Sequence, residues 1–166
     1  MSLNQLLVWF PVVFMLHEFE EILLLKFWER RNRAKPVPSP FTHSAKQPLE
    51  VFVAIVAEEF VIFSAVVLLG SQNQTFRLAA CGLVCAVGLH LVGHIAEAIR
   101  FRRYMPSVVS AIITLPYYIF AAYQATHSGI SVVSLIVATV VACVIGLANL
   151  KIAYKIGDRQ ASRIAQ

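Results

Sequence analysis

Charged residues are scarce in this chain. They make up 14% of its 166 residues, whereas soluble domains are about a quarter charged. Hydrophobic residues reach 58%. A composition this poor in charge and this rich in apolar residues argues against a soluble globular domain and indicates an integral membrane protein.

Cysteine is also scarce, with three residues that all fall in apolar runs. No disulfide framework and no C-x-x-C pair is expected from this pattern. No basic segment precedes the first apolar run, so we expect no cleavable signal peptide. The formal charge of +5 does not indicate nucleic-acid binding, because the basic residues lie in connectors and in the C-terminal tail, where membrane topology explains them.

Five apolar segments are long enough to cross a bilayer, which takes about 20 residues. The predicted spans are Leu3–Leu25, Leu49–Leu69, Phe76–Ile99, Ser107–Ala125 and Ile130–Leu150. These spans leave room for little else. The sequence therefore predicts a single all-α domain over residues 1–166, an integral membrane bundle of five transmembrane helices.

The basic residues alternate along the chain. The first connector (Lys26–Gln47), the third connector (Arg100–Pro106) and the C-terminal tail are rich in Lys and Arg, whereas the N-terminus and the other connectors are poor in them. The positive-inside rule then places the N-terminus outside and the C-terminus in the cytoplasm. Pro36, Pro38 and Pro40 in the first connector predict an interfacial loop rather than a helix.

Acidic and imidazole side chains nevertheless lie inside or near the ends of these spans, while no Lys or Arg lies well inside one. They are Glu18, Glu20, Glu21, Glu58, Glu59, Glu97, His17, His90 and His94. At about 2.5 kcal/mol per carboxylate, burying the acids would cost on the order of 15 kcal/mol. Protonation, a water-filled cavity or bound cations must offset this cost.

The first span contains the motif His17-Glu18-Phe19-Glu20-Glu21. His17, Glu20 and Glu21 stand at positions i, i+3 and i+4 and so share one face of a helix. Glu18 points about 100° away from His17, which predicts a place beside the site rather than in it.

The third span contains a second set on one face, formed by His90, His94 and Glu97 at i, i+4 and i+7. Cys81 and Cys85 fall well off that face and are not predicted as ligands. By the helical rise, the polar groups of the first three spans lie about 13–15 Å from their connectors, and therefore at similar depth.

Imidazoles and carboxylates without a thiolate suit a divalent transition metal, with Zn favoured and Fe or Mn as alternatives. The predicted ligands are His17, Glu20, Glu21, Glu58, Glu59, His90, His94 and Glu97. This set exceeds what one four-coordinate ion needs. We therefore predict two ions bridged by carboxylates between the first three helices, as helical bundles hold di-metal centres.

Three residues are predicted to take part in catalysis. A carboxylate left over from ligation, Glu21 or Glu59, would serve as general base. Pro116 interrupts the fourth span and is followed by Tyr117, whose hydroxyl is a candidate acid. The plainer alternatives are a tolerated kink at Pro116 and a polar network with a purely structural role.

The H-x-x-E-E motif resembles the family of small bacterial membrane proteins named HXXEE after it. Its place in the first span of a short multi-span protein, ahead of a His-x-x-x-His-x-x-Glu sequence, strengthens the resemblance. The resemblance implies that His17, Glu20 and Glu21 are functional and that the protein is a multi-pass protein of the bacterial inner membrane. An enzymatic role is suspected for this family, and no substrate follows from it.

The leading hypothesis is an intramembrane metalloenzyme that acts on a lipid-like or other apolar substrate, with hydrolysis favoured over oxidation at a non-haem di-iron centre. The alternative is a proton or divalent-cation transporter that uses the same cluster as a relay. A structural subunit is a third hypothesis, against which six buried acids argue. The expected partners are membrane lipids and a small molecule, without nucleic acid, and a homo-oligomer is compatible with the sequence.

Overall fold

The computed structural model describes residues 1–32 and 48–164, which form five α-helices and no strand. The helices are α1 (Leu3–Asn32), α2 (Leu49–Gly70), α3 (Gln74–Phe101), α4 (Val108–His127) and α5 (Val132–Ile164). The predicted all-α class is therefore confirmed for this part of the chain. The predicted proline-rich loop around Pro36, Pro38 and Pro40 lies outside the described residues.

Four of these helices are long and apolar enough to cross a membrane: α2, α3, α4 and the Val132–Gly157 portion of α5. The same portion of α5 is hardly buried within the bundle, and its exposed surface is almost entirely apolar. A helix that is apolar all round needs an apolar environment. The first predicted span is helical as well. It is not among these four helices, because the acidic and other polar residues of α1 lower its hydropathy.

Two helices extend beyond the predicted spans. The residues from Lys26 to Asn32, which the sequence analysis placed in the first connector, continue α1, and α5 runs on to Ile164. The predicted ends followed hydropathy, which falls at Leu25 and Leu150. Lys, Arg and Glu are nevertheless good helix formers, so the backbone stays helical after the apolar stretch ends.

Helix α3 lies at the centre of the bundle and contacts the other four helices. Helix α4 runs antiparallel to α1. Near its middle the Tyr117 hydroxyl donates a hydrogen bond to the carbonyl of Leu6 over 2.7 Å. Near its C-terminus the Gln124 amide donates to the carbonyl of Met1 over 3.2 Å. The start of α4 therefore lies beside the second half of α1, where the H-x-x-E-E motif is found.

Aromatic side chains fill the half of the bundle nearest the N-terminus of α1. The ring of Phe63 on α2 packs between Phe10 and Phe14, with ring centroids 5.2 and 4.9 Å away. Tyr118 on α4 meets Phe10 edge-on at 6.2 Å. His17 follows Phe14 by three residues, so the H-x-x-E-E motif of α1 begins where this apolar core ends.

Glycine allows α3 and α5 to approach closely. A Cβ atom on Gly82 would lie 2.7 Å from the carbonyl carbon and oxygen of Ala138, which is closer than real Cβ contacts. Gly93, beside His94, has no such role, because a Cβ there would meet no described atom within 4 Å.

We expect Gly82→Ala to destabilise the bundle by about 1–3 kcal/mol, because the added methyl group forces the α3 and α5 backbones apart. The matched control is Gly93→Ala, which should be neutral or stabilise by up to about 1 kcal/mol through helix propensity. Reversible unfolding of both variants in detergent micelles measures the difference. Equal stability of the two variants would contradict this account of the α3–α5 contact.

Candidate metal centre

Three imidazole rings converge between α1 and α3. His17 comes from α1, and His90 and His94 lie one turn apart on α3. The ring centroid of His94 is 5.1 Å from that of His17 and 4.4 Å from that of His90. One nitrogen from each ring lies within 4.8 Å of the others. The spacing of His90 and His94 predicted their shared face, and the structure brings His17 to that face.

The distances between these nitrogens suit a metal ion. The Nε2 atoms of His90 and His94 are 2.9 Å apart, and the whole group of three spans no more than 4.8 Å. Two nitrogen ligands of one tetrahedral Zn²⁺ lie about 3.3 Å apart when each bond is about 2.0–2.1 Å long. Small rotations of the rings would therefore bring all three nitrogens into ligand positions.

One nitrogen of His17 is buried without a hydrogen-bond partner among the described residues. The His17 side chain is fully buried, and its Nδ1 lies 3.2 Å from the Ser110 hydroxyl on α4. Its Nε2 has no partner within the described part of the chain. Buried polar atoms are nearly always satisfied, so an atom of this kind needs a specific explanation, such as an ion or a water molecule.

Carboxylates flank the histidines on one side. The Oε1 atom of Glu21 lies 3.8 Å from Nε2 of His94. Glu18 and Glu21 are buried, and both interact electrostatically with Glu59 on α2. The sequence analysis placed Glu18 beside the site, and the structure places it in this acidic group. Three acids in mutual electrostatic contact favour a cation or protonation nearby.

Glu20 is hydrogen-bonded to the start of α4 and to the loop between α3 and α4. Its Oε1 accepts a hydrogen bond from the Tyr104 hydroxyl over 2.5 Å. Its Oε2 accepts from the Ser110 amide over 2.7 Å and from the Ser110 hydroxyl over 2.6 Å. Partial burial, and then the bond to Glu20, raises the pKa of the Tyr104 hydroxyl, which keeps it a donor at neutral pH. Tyr104 lies in the loop between α3 and α4. The Trp28 indole on α1 holds this loop by donating to the Tyr104 carbonyl over 2.7 Å.

Two other predicted ligands lie outside the group of converging nitrogens. Glu58 is exposed, whereas its neighbour Glu59 is half-buried, so only one of the adjacent pair turns inward. Glu97 is half-buried, one turn beyond His94. Of the predicted set, the structure brings His17, His90 and His94 together and places Glu21 beside them.

Tyr117 and its neighbour Tyr118 on α4 occupy different environments, and Tyr117 is not in the one expected. Tyr117, the predicted acid, uses its hydroxyl on the Leu6 carbonyl and stays away from the histidines. Tyr118 is buried and interacts electrostatically with Glu18. Adjacent residues on a helix point about 100° apart, so only one of the pair can face the polar interior.

Sequence reasoning missed the contribution of α4 and of the loop before it. Ser110 contacts both His17 and Glu20. A signal was available, because Ser107, Ser110 and Thr114 stand at i, i+3 and i+7 and give the start of the fourth span a polar face. No comparable signal indicates Tyr104, whose role depends on how the loop folds over α1.

Comparison with known families agrees with the motif that organises this site. The family model described as "Protein of unknown function with HXXEE motif" matches residues 8–121, which is more than half of the chain. This chain belongs to the HXXEE family. The matched region contains every residue of the site described above. No curated protein and no solved structure matches the chain.

We expect Glu20→Gln to destabilise the protein by about 1.5–3 kcal/mol, because an amide cannot replace a carboxylate that accepts from Tyr104 and twice from Ser110. The control on the same helix is Glu29→Gln, which removes only a 3.5 Å ion pair with Lys26. A surface pair of that kind contributes about 0–1 kcal/mol. Unfolding free energies in micelles provide the comparison, and a Glu20 variant as stable as the Glu29 variant would contradict the hydrogen-bonded role.

Proposed function

We propose that this chain is a multi-pass membrane metalloenzyme that binds a divalent transition metal through His17, His90 and His94. The observation that carries the proposal is the buried Nε2 atom of His17, which has no partner among the described residues and belongs to a ring packed against two other imidazoles. A bound cation would satisfy that atom. It would also offset the repulsion among the carboxylates beside it.

Zinc is the metal that this donor set suits best. Three imidazoles that leave a fourth position open are a common arrangement in catalytic zinc sites. Carboxylate-rich sites also accept iron or manganese, which are the alternatives here. The three-imidazole set favours hydrolysis over oxygen-dependent oxidation, because the usual ligands of non-haem iron oxygenases are two histidines and one carboxylate.

A second ion would be held on the acidic side of the site. Glu21 lies 3.8 Å from His94 and interacts electrostatically with the carboxylates of Glu18 and Glu59. A carboxylate in that position could bridge two ions, as carboxylates do in the di-metal centres of helical bundles. The second ion would therefore use Glu18, Glu21 and Glu59, with Glu18 added to the set expected from the sequence.

With a single ion bound to the three histidines, Glu21 would not be a ligand, and we assign it as general base. A bound metal would supply Lewis-acid activation of water. The Glu21 carboxylate lies 3.8 Å from Nε2 of His94 and would accept a proton from a water molecule bound there. Glu59 is the second candidate for this role, since it interacts electrostatically with Glu21. We assign no catalytic role to Tyr117, because its hydroxyl is bonded to a carbonyl elsewhere.

A lipid-like or other apolar substrate fits the surroundings of the site. His90 is exposed at the bundle surface, whereas His17 and His94 are buried. Leu89, the residue before His90 on α3, is exposed and apolar. A substrate approaching His90 would therefore meet an apolar surface beside an imidazole, as a molecule dissolved in the bilayer requires.

The proposed orientation has five spans, an external N-terminus and a cytoplasmic C-terminus in the bacterial inner membrane. The hydrogen bond from Trp28 to Tyr104 places the C-terminal ends of α1 and α3 at the same end of the bundle. That end carries Arg30, Arg31, Arg100, Arg102 and Arg103. A basic end is the one that the positive-inside rule assigns to the cytoplasm.

A proton or divalent-cation relay is the second candidate function. The electrostatic interaction of Glu18, Glu21 and Glu59 favours it, because rows of acids and imidazoles also form intramembrane pathways. A relay needs no tightly held metal. Metal content and ion flux therefore separate the two functions.

We expect purified protein to retain about one or two metal ions per chain, and we expect His17→Ala and His94→Ala each to lose most of that metal. The matched control is His127→Ala, which changes an exposed histidine at the end of α4 and should leave the metal content unchanged. Elemental analysis of protein purified in detergent makes the measurement. Folded protein that holds no metal, even after addition of zinc, and that conducts protons in liposomes would contradict the enzyme and favour the relay.

A further inference from the structure

A chain of hydrogen bonds links the loop before α4 to His17. The exposed Tyr104 donates to Glu20 over 2.5 Å, and Glu20 accepts from the Ser110 hydroxyl over 2.6 Å. The oxygen of that hydroxyl lies 3.2 Å from Nδ1 of His17. Three elements of the fold thus meet at Ser110: α1, α4 and the loop that Trp28 holds in place.

The direction in which the Ser110 hydroxyl donates its one hydrogen sets the direction of the other hydrogen bonds in this series. Four possible acceptors surround it, namely Oε2 of Glu20 at 2.6 Å, Nδ1 of His17 at 3.2 Å and the carbonyls of Ser107 at 3.2 Å and His17 at 3.4 Å. The carboxylate oxygen is both the nearest and the charged acceptor, and a bond to it is about twice as strong as a neutral one. The hydrogen therefore points to Glu20, and the Ser110 oxygen can only accept from the His17 ring.

We propose that Glu20 and Ser110 are positioning residues that fix His17 in the form with its hydrogen on Nδ1 and the lone pair of Nε2 free for a metal. The inference rests on the proposed metal-binding function and assigns these two residues a part in it. Histidine ligands commonly donate their second ring nitrogen to a carboxylate, a carbonyl or water, which sets the tautomer and the ring orientation. Here a serine stands between the imidazole and the carboxylate.

This arrangement gives the two glutamates of the H-x-x-E-E motif different roles. Adjacent residues on a helix point about 100° apart, and the contacts of Glu20 and Glu21 differ accordingly. Glu20 is directed to Ser110 and Tyr104, and Glu21 to His94. The residue at i+3 therefore orients His17, while the residue at i+4 would lie beside a metal bound to His94.

The hydrogen-bond part of the inference is tested in metal-free protein, so its outcome does not depend on metal binding. Ring ¹⁵N NMR of the full chain in micelles should show His17 protonated on Nδ1 and bare on Nε2. Ser110→Ala should lose this preference, and Ser110→Thr, which keeps a hydroxyl, should restore it. A wild-type His17 protonated on Nε2, or a spectrum that Ser110→Ala leaves unchanged, would overturn the inference.

The metal part is tested by competition for Zn²⁺ with a chromophoric chelator. We expect Ser110→Ala to weaken zinc binding by about 10–100-fold, the usual effect of removing a partner of a ligand histidine, and Ser110→Thr to recover most of it. Unchanged zinc affinity in a folded Ser110→Ala protein would overturn the positioning role. If the wild-type protein shows the expected tautomer but binds no zinc, the hydrogen-bonded chain is supported and the proposed enzymatic function fails.

Discussion

The packing of three imidazole rings against one another, inside a bundle whose outer surface is largely apolar, is the constraint on which the rest of this structure depends. His17 is fully buried and leaves Nε2 without a partner among the described residues, while His90 and His94 approach within hydrogen-bond distance of each other. A buried nitrogen without a partner costs about 1–3 kcal/mol. The fold nevertheless keeps this nitrogen buried. A bound cation would explain both the buried nitrogen and the buried carboxylates nearby.

Two groups of residues hold these rings in position. The apolar core around Phe10, Phe14 and Phe63 fixes α1 against α2, so that His17 is held at a defined depth. On the other side, the start of α4 presents Ser110 to α1. The motif on α1 therefore acts through its neighbours as much as through its own side chains. A change in how the start of α4 packs would therefore reach His17 through Ser110.

Sequence periodicity was enough to predict the helices and the histidines of the site. The i, i+4 spacing of His90 and His94 gave their shared face, and the similar depth of His17 predicted that it would meet them. The hydrogen-bond partners of Glu20 could not be predicted. They depend on the packing of α4 against α1, which no local sequence pattern indicates. The same limit explains why Tyr117 was favoured over its neighbour, and why α1 was expected to end at Leu25, where only the hydropathy changes.

X-ray absorption spectroscopy at the zinc edge, on the intact protein in detergent, addresses the central claim most directly because it reports which atoms surround the metal. The account predicts nitrogen or oxygen ligands at about 2.0–2.1 Å, with the multiple-scattering signature of three imidazoles. It also predicts that the imidazole contribution falls when His17 is replaced by alanine. A bound metal whose spectrum shows no imidazole, or shows sulfur ligands at about 2.3 Å, would contradict it.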